Sequence, residues 1–300
     1  MKSEIVTVFT PTYNRAHTLP RTYESLIKQS NKSFKWLIID DGSTDNTKEL
    51  VESWMRQDNG FKIKYIYKEN GGMHTAHNVA YRNIDTELNV CIDSDDCLAT
   101  DAINKVILKW SEVKNKGYAG IIGLDADLNT GHIIGTGFDE ELSETTVSGY
   151  YNRGGSGDKK LVYRTEIINK YPEYPVFDDE KYYSLSYKYL LIDQDYKLAT
   201  LNEILCNVEY QSDGSSMNMI KQYYKNPKGF ANWRLVRMKY DETLKRKFID
   251  CVHYVSSSKL AGNKDYIKES PNKLLTIISI PMGYVLFRFV KCKAYQKQIV

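Results

Sequence analysis

Cysteine is scarce in this chain, and what there is has no pattern. Cys91, Cys97, Cys206, Cys251 and Cys292 are scattered, odd in number and without CxxC spacing. That excludes a disulfide-framed secreted domain and a thiolate zinc site, and it fits reduced thiols in a cytosolic setting. Also lacking is an apolar run of the roughly 20 residues that a spanning helix needs. Residues 274–290 come nearest, but Pro281, Gly283 and Arg288 interrupt them. No signal peptide is expected, since Met1-Lys2-Ser3-Glu4 leads directly into a β-rich run. After that run Thr10-Pro11-Thr12 stands where a dehydrogenase would carry Gly-x-Gly-x-x-Gly, which disfavours a dinucleotide-dependent oxidoreductase.

Charge is nearly balanced at +3, yet unevenly placed. Residues 221–300 hold 17 Lys+Arg against 5 Asp+Glu, leaving 24 against 33 for residues 1–220. The result is an acidic body with a basic tail. No recognised nucleic-acid-binding motif accompanies the basic residues, and the acidic body argues against that partner. With 42% hydrophobic and 26% charged residues over 300 positions, the chain has room for one large α/β domain and an appendage.

Periodicity supplies the layout of the body. Strands are expected over 4–10, 35–40, 62–68 and 88–92, and helices over 19–28, 44–58, 75–82 and 100–116. Such alternation builds an α/β fold with a Rossmann-like, mainly parallel central sheet and flanking helices. Ligands then gather at the carboxyl ends of the strands. There the sequence places Ile39-Asp40-Asp41-Gly42-Ser43 and Ile92-Asp93-Ser94-Asp95-Asp96, each after a β-branched or apolar run. Hard oxygen ligands at a strand end suit Mg²⁺ or Mn²⁺, which shares its shell with water and substrate phosphate. Gly71-Gly72 ahead of a helix allows close backbone approach to a phosphate or sugar. His74 and His77 read as polar surface or hydrogen-bonding residues, and neither is assigned a metal.

Four blocks in this order, Phe9-Thr10-Pro11-Thr12-Tyr13-Asn14-Arg15, Ile39 to Asp45, Asn70-Gly71-Gly72 with Ala76-His77-Asn78, and Ile92 to Asp96, resemble the family 2 glycosyltransferases of GT-A fold. Gly157-Asp158-Lys159 and Glu209 to Ser216 look like the subgroup that builds bacterial capsular polysaccharides and exopolysaccharides. The resemblance implies a UDP-sugar donor and an inverting transfer. It implies that Thr10, Pro11, Tyr13 and Arg15 line the nucleotide pocket, with Arg15 near phosphate. Asp41 would accept the uracil N3–H while Asp40 shapes the turn. Asp93 with Ser94 would hold ribose, Gly71, Gly72 and Asn78 would complete the pocket, and Asp95 with Asp96 would ligate the metal.

Inverting transfer needs a carboxylate to take the acceptor's proton. By the resemblance that group falls near Leu185, which cannot serve, so Glu180 and then Asp179 are the expected bases, with Asp158 a further acid. The expected domains are a transferase domain over 1–220, with a nucleotide half to about residue 98 and an acceptor half from 99, and a helical basic region over 221–300. Residues 274–290, followed by Lys291, Lys293 and Lys297, read either as an interfacial segment on an anionic membrane or as a buried terminal helix. The expected acceptor is a lipid-diphosphate-linked saccharide at the inner face of a bacterial membrane. A non-catalytic, nucleotide-sugar-binding partner of another transferase is the alternative. Donor sugar, linkage and oligomeric state are not legible.

Overall fold

The computed structural model describes residues 4–209, 219–240 and 243–296. The chain divides into two compact units, one of residues 1–173 and 188–210, the other of 174–187 and 211–300.

In the first unit β1 (Val6–Thr12) leads to α1 (Leu19–Ile27), β2 (Phe34–Asp40), α2 (Thr47–Met55), β3 (Lys62–Tyr67), α3 (Met73–Asn83) and β4 (Leu88–Cys91). These strands lie side by side in the order β3-β2-β1-β4, all parallel. Every residue of β1 is buried, as a strand covered on both faces requires. On one face Tyr23 of α1 stacks on Trp54 of α2 with centroids 4.3 Å apart, and Trp36 of β2 lies 5.8 Å from Trp54. Burial of each such ring stabilises the layer by on the order of 2 kcal/mol.

Beyond β4 the chain forms β5 (Cys97–Leu98), α4 (Ala102–Val113), β6 (Gly120–Asp127), β7 (Glu144–Thr145), α5 (Val147–Asn152), β8 (Lys159–Arg164), α6 (Thr165–Ile168), α7 (Ser186–Ile192) and β9 (Leu198–Val208). The sheet continues β4-β8-β6-β9-β5, with β7 paired to β9. It is a mixed sheet, because β8 runs antiparallel to both β4 and β6. Gly120 permits this pairing: a Cβ there would lie 1.9 Å from the Val162 carbonyl.

The second unit holds α8 (Met219–Lys225), α9 (Pro227–Tyr240), α10 (Leu244–Leu260), α11 (Tyr266–Glu269) and α12 (Lys273–Gln296). Within the helical region expected over 221–300, α8 and α9 are separate helices, because Pro227 cannot continue α8 but fits the first turn of α9. Residues 174–187 join this unit through their rings. Tyr182 stacks on Phe230 at 5.0 Å, Phe230 on Tyr223 at 4.0 Å, and the Tyr183 hydroxyl donates to Asn232 Oδ1 at 2.7 Å. One departure is α12, which runs through Pro281 without interruption. Packing along its length offsets the roughly 3 kcal/mol that an interior proline costs.

His74 and His77 of α3 are buried rather than at the surface. His77 sits edge-on to Phe9, 5.0 Å between centroids, with Nδ1 3.3 Å from the Tyr81 hydroxyl and Nε2 3.6 Å from Cys91 Sγ. Burial, reinforced by the charges of Lys188 and His74, pushes its pKa down to about 3. The unfolded chain therefore binds the proton first, so this stabilisation is complete above the ordinary histidine value and is lost as pH falls below it. Going from pH 7 to pH 5 should lower the unfolding free energy by about 2 kcal/mol through His77 alone. Urea titrations at the two pH values measure this, and a His77→Asn variant with an undiminished pH dependence would assign the effect elsewhere.

Candidate functional site

The carboxyl ends of β1 and β2 are stapled by short polar side chains. Asn14, in the left-handed region at φ 52°, donates its N–H to Ser43 Oγ at 2.9 Å and accepts the Thr44 N–H on Oδ1 at 2.7 Å. Asp45 Oδ2 takes the Ala16 N–H at 3.0 Å. Asp40 accepts the Ser43 N–H at 2.7 Å and the Tyr65 hydroxyl at 2.5 Å, so it shapes the turn. Gly42, at φ 87°, is required because a Cβ would sit 2.8 Å from the Asn70 nitrogen.

Asp41 is almost fully buried and clamps the loop after β3. Its Oδ1 accepts the Gly71 N–H at 3.0 Å and the Lys68 ammonium; its Oδ2 accepts the Gly72 N–H at 2.8 Å and a longer bond from Asn70 at 3.4 Å. Four protein donors fill the acceptor positions that a carboxylate offers. The uracil contact expected of Asp41 would have to displace one of them. Likewise the N–H groups of Gly71 and Gly72, expected to face phosphate, face this carboxylate.

After β4 the chain turns at once, with the Asp96 N–H bonded to the Asp93 carbonyl at 3.0 Å. From α1, Arg21 donates to the Asp95 carbonyl and pairs with Glu209 at 2.7 Å, while the Thr22 hydroxyl donates to the Asp96 carbonyl at 2.7 Å. The two acids expected to share a metal have different surroundings. Asp95 is partly exposed; burial and the neighbouring Asp93 raise its pKa, opposed by Arg15 and Arg21. Asp96 is buried with its Oδ2 facing Cys206 Sγ at 3.9 Å, and burial pushes its pKa up to about 8 against the pull of Lys160. Of the two acids expected at a metal, Asp95 with Asp93 beside it is the partly exposed one and Asp96 the buried one.

Beneath the turn lies a buried charge cluster that sequence reasoning missed. Lys160 of β8 reaches to 4.0 Å from Asp125 Oδ1 of β6, and that oxygen has no hydrogen bond. Burial disfavours the ammonium, but Asp125, Asp96 and Asp93, together with Cys206, outweigh it and hold the lysine charged. Burial raises Asp125 to about 6 despite Lys160. The only sequence signal was alternation: a lysine in the short run Lys-Lys-Leu-Val-Tyr-Arg and an Asp closing an apolar strand.

Other expected residues fall as follows. Thr10 is a core residue, its Oγ1 accepting the Trp36 indole N–H at 2.9 Å, and Pro11 is buried beside it. The orphaned hydroxyl at that strand end is Thr12 Oγ1. Tyr13 is half-exposed and Arg15 partly so, while Asn78 and Ser94 are buried. Lys68, two residues before Asn70, was not anticipated. Asp158 is exposed, and Asp193 caps α5 through the N–H groups of Val147 and Ser148. In the second unit both oxygens of Glu180 accept first-turn N–H groups of α9, Lys228 and Gly229, each at 2.7 Å. That is a helix-capping role rather than that of a free base. Its neighbour Asp179 is exposed in a left-handed turn, φ 65°. Of the segment Glu209 to Ser216, all but Glu209 lies outside the described residues.

A family profile described as Glycosyl transferase family 2 matches residues 7–130, which span β1 through β6 and hold Asp40, Asp41, Asp93 and Asp95. Those residues are a family 2 glycosyl transferase domain. Among curated relatives, glycosyltransferase GlyG of Streptococcus pneumoniae is 27% identical over 64% of this chain and 69% of its own length. The putative teichuronic acid biosynthesis glycosyltransferase TuaG of Bacillus subtilis is 31% identical over 34% of this chain and 40% of its own. Two Rickettsia glycosyltransferases match over only 18% of their length. Residues 1–349 of Staphylococcus aureus TarS, solved with UDP-GlcNAc, superpose with a TM-score of 0.62 over 98% of this chain and 92% of that one, at 16% identity. That likeness shows the GT-A-like fold.

Two variants test the electrostatics of the glycosyltransferase domain and its neighbour. Lys160→Met should destabilise by about 3–5 kcal/mol, because it strands Asp125 in a buried site, and adding Asp125→Asn should recover most of the loss. Urea midpoints of the single and double variants measure this, and a double variant no better than the single would remove the pairing. Glu180→Gln should lower stability by about 1–2 kcal/mol through the lost cap. A loss of sugar transfer by about 10² or more at an unchanged melting temperature would instead restore Glu180 as the base.

Proposed function

We propose that this glycosyltransferase moves a sugar from a UDP-sugar, with inversion, onto a lipid-diphosphate-linked saccharide in bacterial surface polysaccharide synthesis, and works at the inner face of the membrane. The observation that carries the proposal is the setting of Asp95: a partly exposed carboxylate after a parallel strand, crowded by Asp93 and faced by the charges of Arg15 and Arg21. Repulsion between two adjacent carboxylates is relieved by a divalent cation, and two cationic side chains beside them suit a diphosphate. The UDP-GlcNAc bound to TarS and the teichuronic acid role in the name of TuaG support the choice of donor and pathway.

A metal fits this site as a shared one. Among the described residues no three His, Cys, Asp or Glu side chains form a cage, but Mg²⁺ or Mn²⁺ commonly takes one or two carboxylates and completes its shell with water and phosphate. Asp95 would hold it with Asp93 adjacent, and when bound it supplies charge to the departing diphosphate. Arg15 places a guanidinium at the phosphates, Tyr13 offers an exposed ring to the base, and Lys68 with Asp41 fixes the loop that closes the pocket. The acceptor's proton needs a carboxylate, and of the two acids expected for that role Asp179 is exposed while Glu180 is engaged in capping α9.

Asp95→Asn should abolish metal-dependent UDP binding and nearly abolish transfer while leaving the melting temperature unchanged. Calorimetry with UDP and Mn²⁺ decides it: undiminished metal-dependent affinity in the variant would remove Asp95 from the site.

A further inference from the structure

Helix α12 is built inside out. Its buried positions are Thr276, Ser279, Gly283, Val290 and Ala294, mostly small, while Leu274, Ile278, Met282, Val285 and Phe289 point outward, Leu274 73% and Val285 68% exposed. A helix on the surface of a globular domain carries its large apolar side chains inward. The inner face of α12 instead allows close approach to α10: a Cβ on Gly283 would lie 2.6 Å from Val255 Cβ, and Thr276 Oγ1 reaches Cys251 Sγ at 3.5 Å. The facing stretch of α10 buries Ser256, Ser257 and Ser258. Small residues between helices with large apolar ones outside is the packing of helices in contact with lipid.

By length and composition α12 could cross a bilayer. Its attachment to α10 argues against crossing. Asp250 of α10 is fully buried and pairs with Arg234 at 2.6 Å and Arg237 at 3.0 Å, both on α9, and Lys245, Arg246 and Lys247 open α10. Insertion would either draw these charges toward hydrocarbon or strip α12 from the partners of Thr276 and Gly283. Charge identifies the occupant of the outer face. α12 contains no Asp or Glu, and at about 100° per residue Lys273, Arg288 and Lys291 fall along one margin of the apolar face, with Lys293 at the other. A second copy of this helix would oppose like charges to like, whereas an anionic lipid surface complements them.

We propose that α12 lies in the plane of an anionic membrane, with Leu274, Ile278, Met282, Val285 and Phe289 at the acyl boundary and the flanking lysines and Arg288 at lipid phosphates. This deepens the membrane-surface part of the function proposed above and rests on none of its donor chemistry. Flotation of the full chain with vesicles, without donor or metal, tests it separately from catalysis. The protein should float with vesicles of equal phosphatidylglycerol and phosphatidylcholine and far less with phosphatidylcholine alone. A Val285→Glu, Phe289→Glu double variant should bind on the order of a hundredfold more weakly, and Lys291→Gln about fivefold more weakly. Both should melt as the wild type does, since these side chains are exposed.

Failure of the wild type to float with anionic vesicles would overturn the proposal, as would unchanged binding by the double variant. Resistance to alkaline carbonate extraction would replace it with a spanning helix. A dimer in sedimentation that the double variant dissolves, without vesicle binding by the wild type, would assign the face to a second copy.

Discussion

Carboxylates spent on backbone N–H groups hold the ends of the parallel strands together. Asp40, Asp41 and Asp45 each accept main-chain donors from a loop other than their own strand or from the next turn, and Asn14 adds the same kind of bond. A loop at the end of a sheet has no ladder to satisfy its amides, so each needs such a partner or water. Burying two of these acids, Asp40 and Asp41, keeps water from competing for the bonds they make. Most of what the site can do follows from which acids are consumed this way and which are left. Asp40 and Asp41 are consumed; Asp93 and Asp95 are left.

The parallel half of the sheet was legible because its strands read as apolar runs and its loops carry acids and glycines at fixed distances from them. Expected and observed strands coincide within two residues from β1 to β4. The rest was not. β8 is short, carries two lysines, and gains its place only by pairing on both sides with strands far away in sequence. Element type is local, but pairing is not, so no window of sequence contains the reason for its direction. The same holds for Lys160 and Asp125, each unremarkable alone and meaningful only as a buried pair. At the site, alternation along β1 turned the Thr10 hydroxyl toward Trp36, and burial gave Asp96 surroundings unlike those of Asp95; residue identity alone sees neither. The second unit inverted another local rule, since a proline at position 281 does not stop a helix that packing holds.

Charge is distributed to the same logic in both units. In the first, Lys160 offsets the negative charge of Asp125, Asp96 and Asp93. In the second, Arg234 and Arg237 close around Asp250, and the remaining basic residues stay at the surface where lipid or solvent can reach them.

The path of the chain between its two units has its own consequence. Residues 174–187 leave the first unit, join the second, and return, so neither unit is a continuous stretch of sequence. As the polypeptide emerges during synthesis, the rings of Tyr182 and Tyr183 appear nearly fifty residues before Phe230 and Asn232, their partners. Until those partners arrive the rings of this excursion have only one another to pack on, as Phe177 and Tyr187 do on Tyr183, and the second unit cannot be made, transplanted or secreted as a cassette by cutting the gene once.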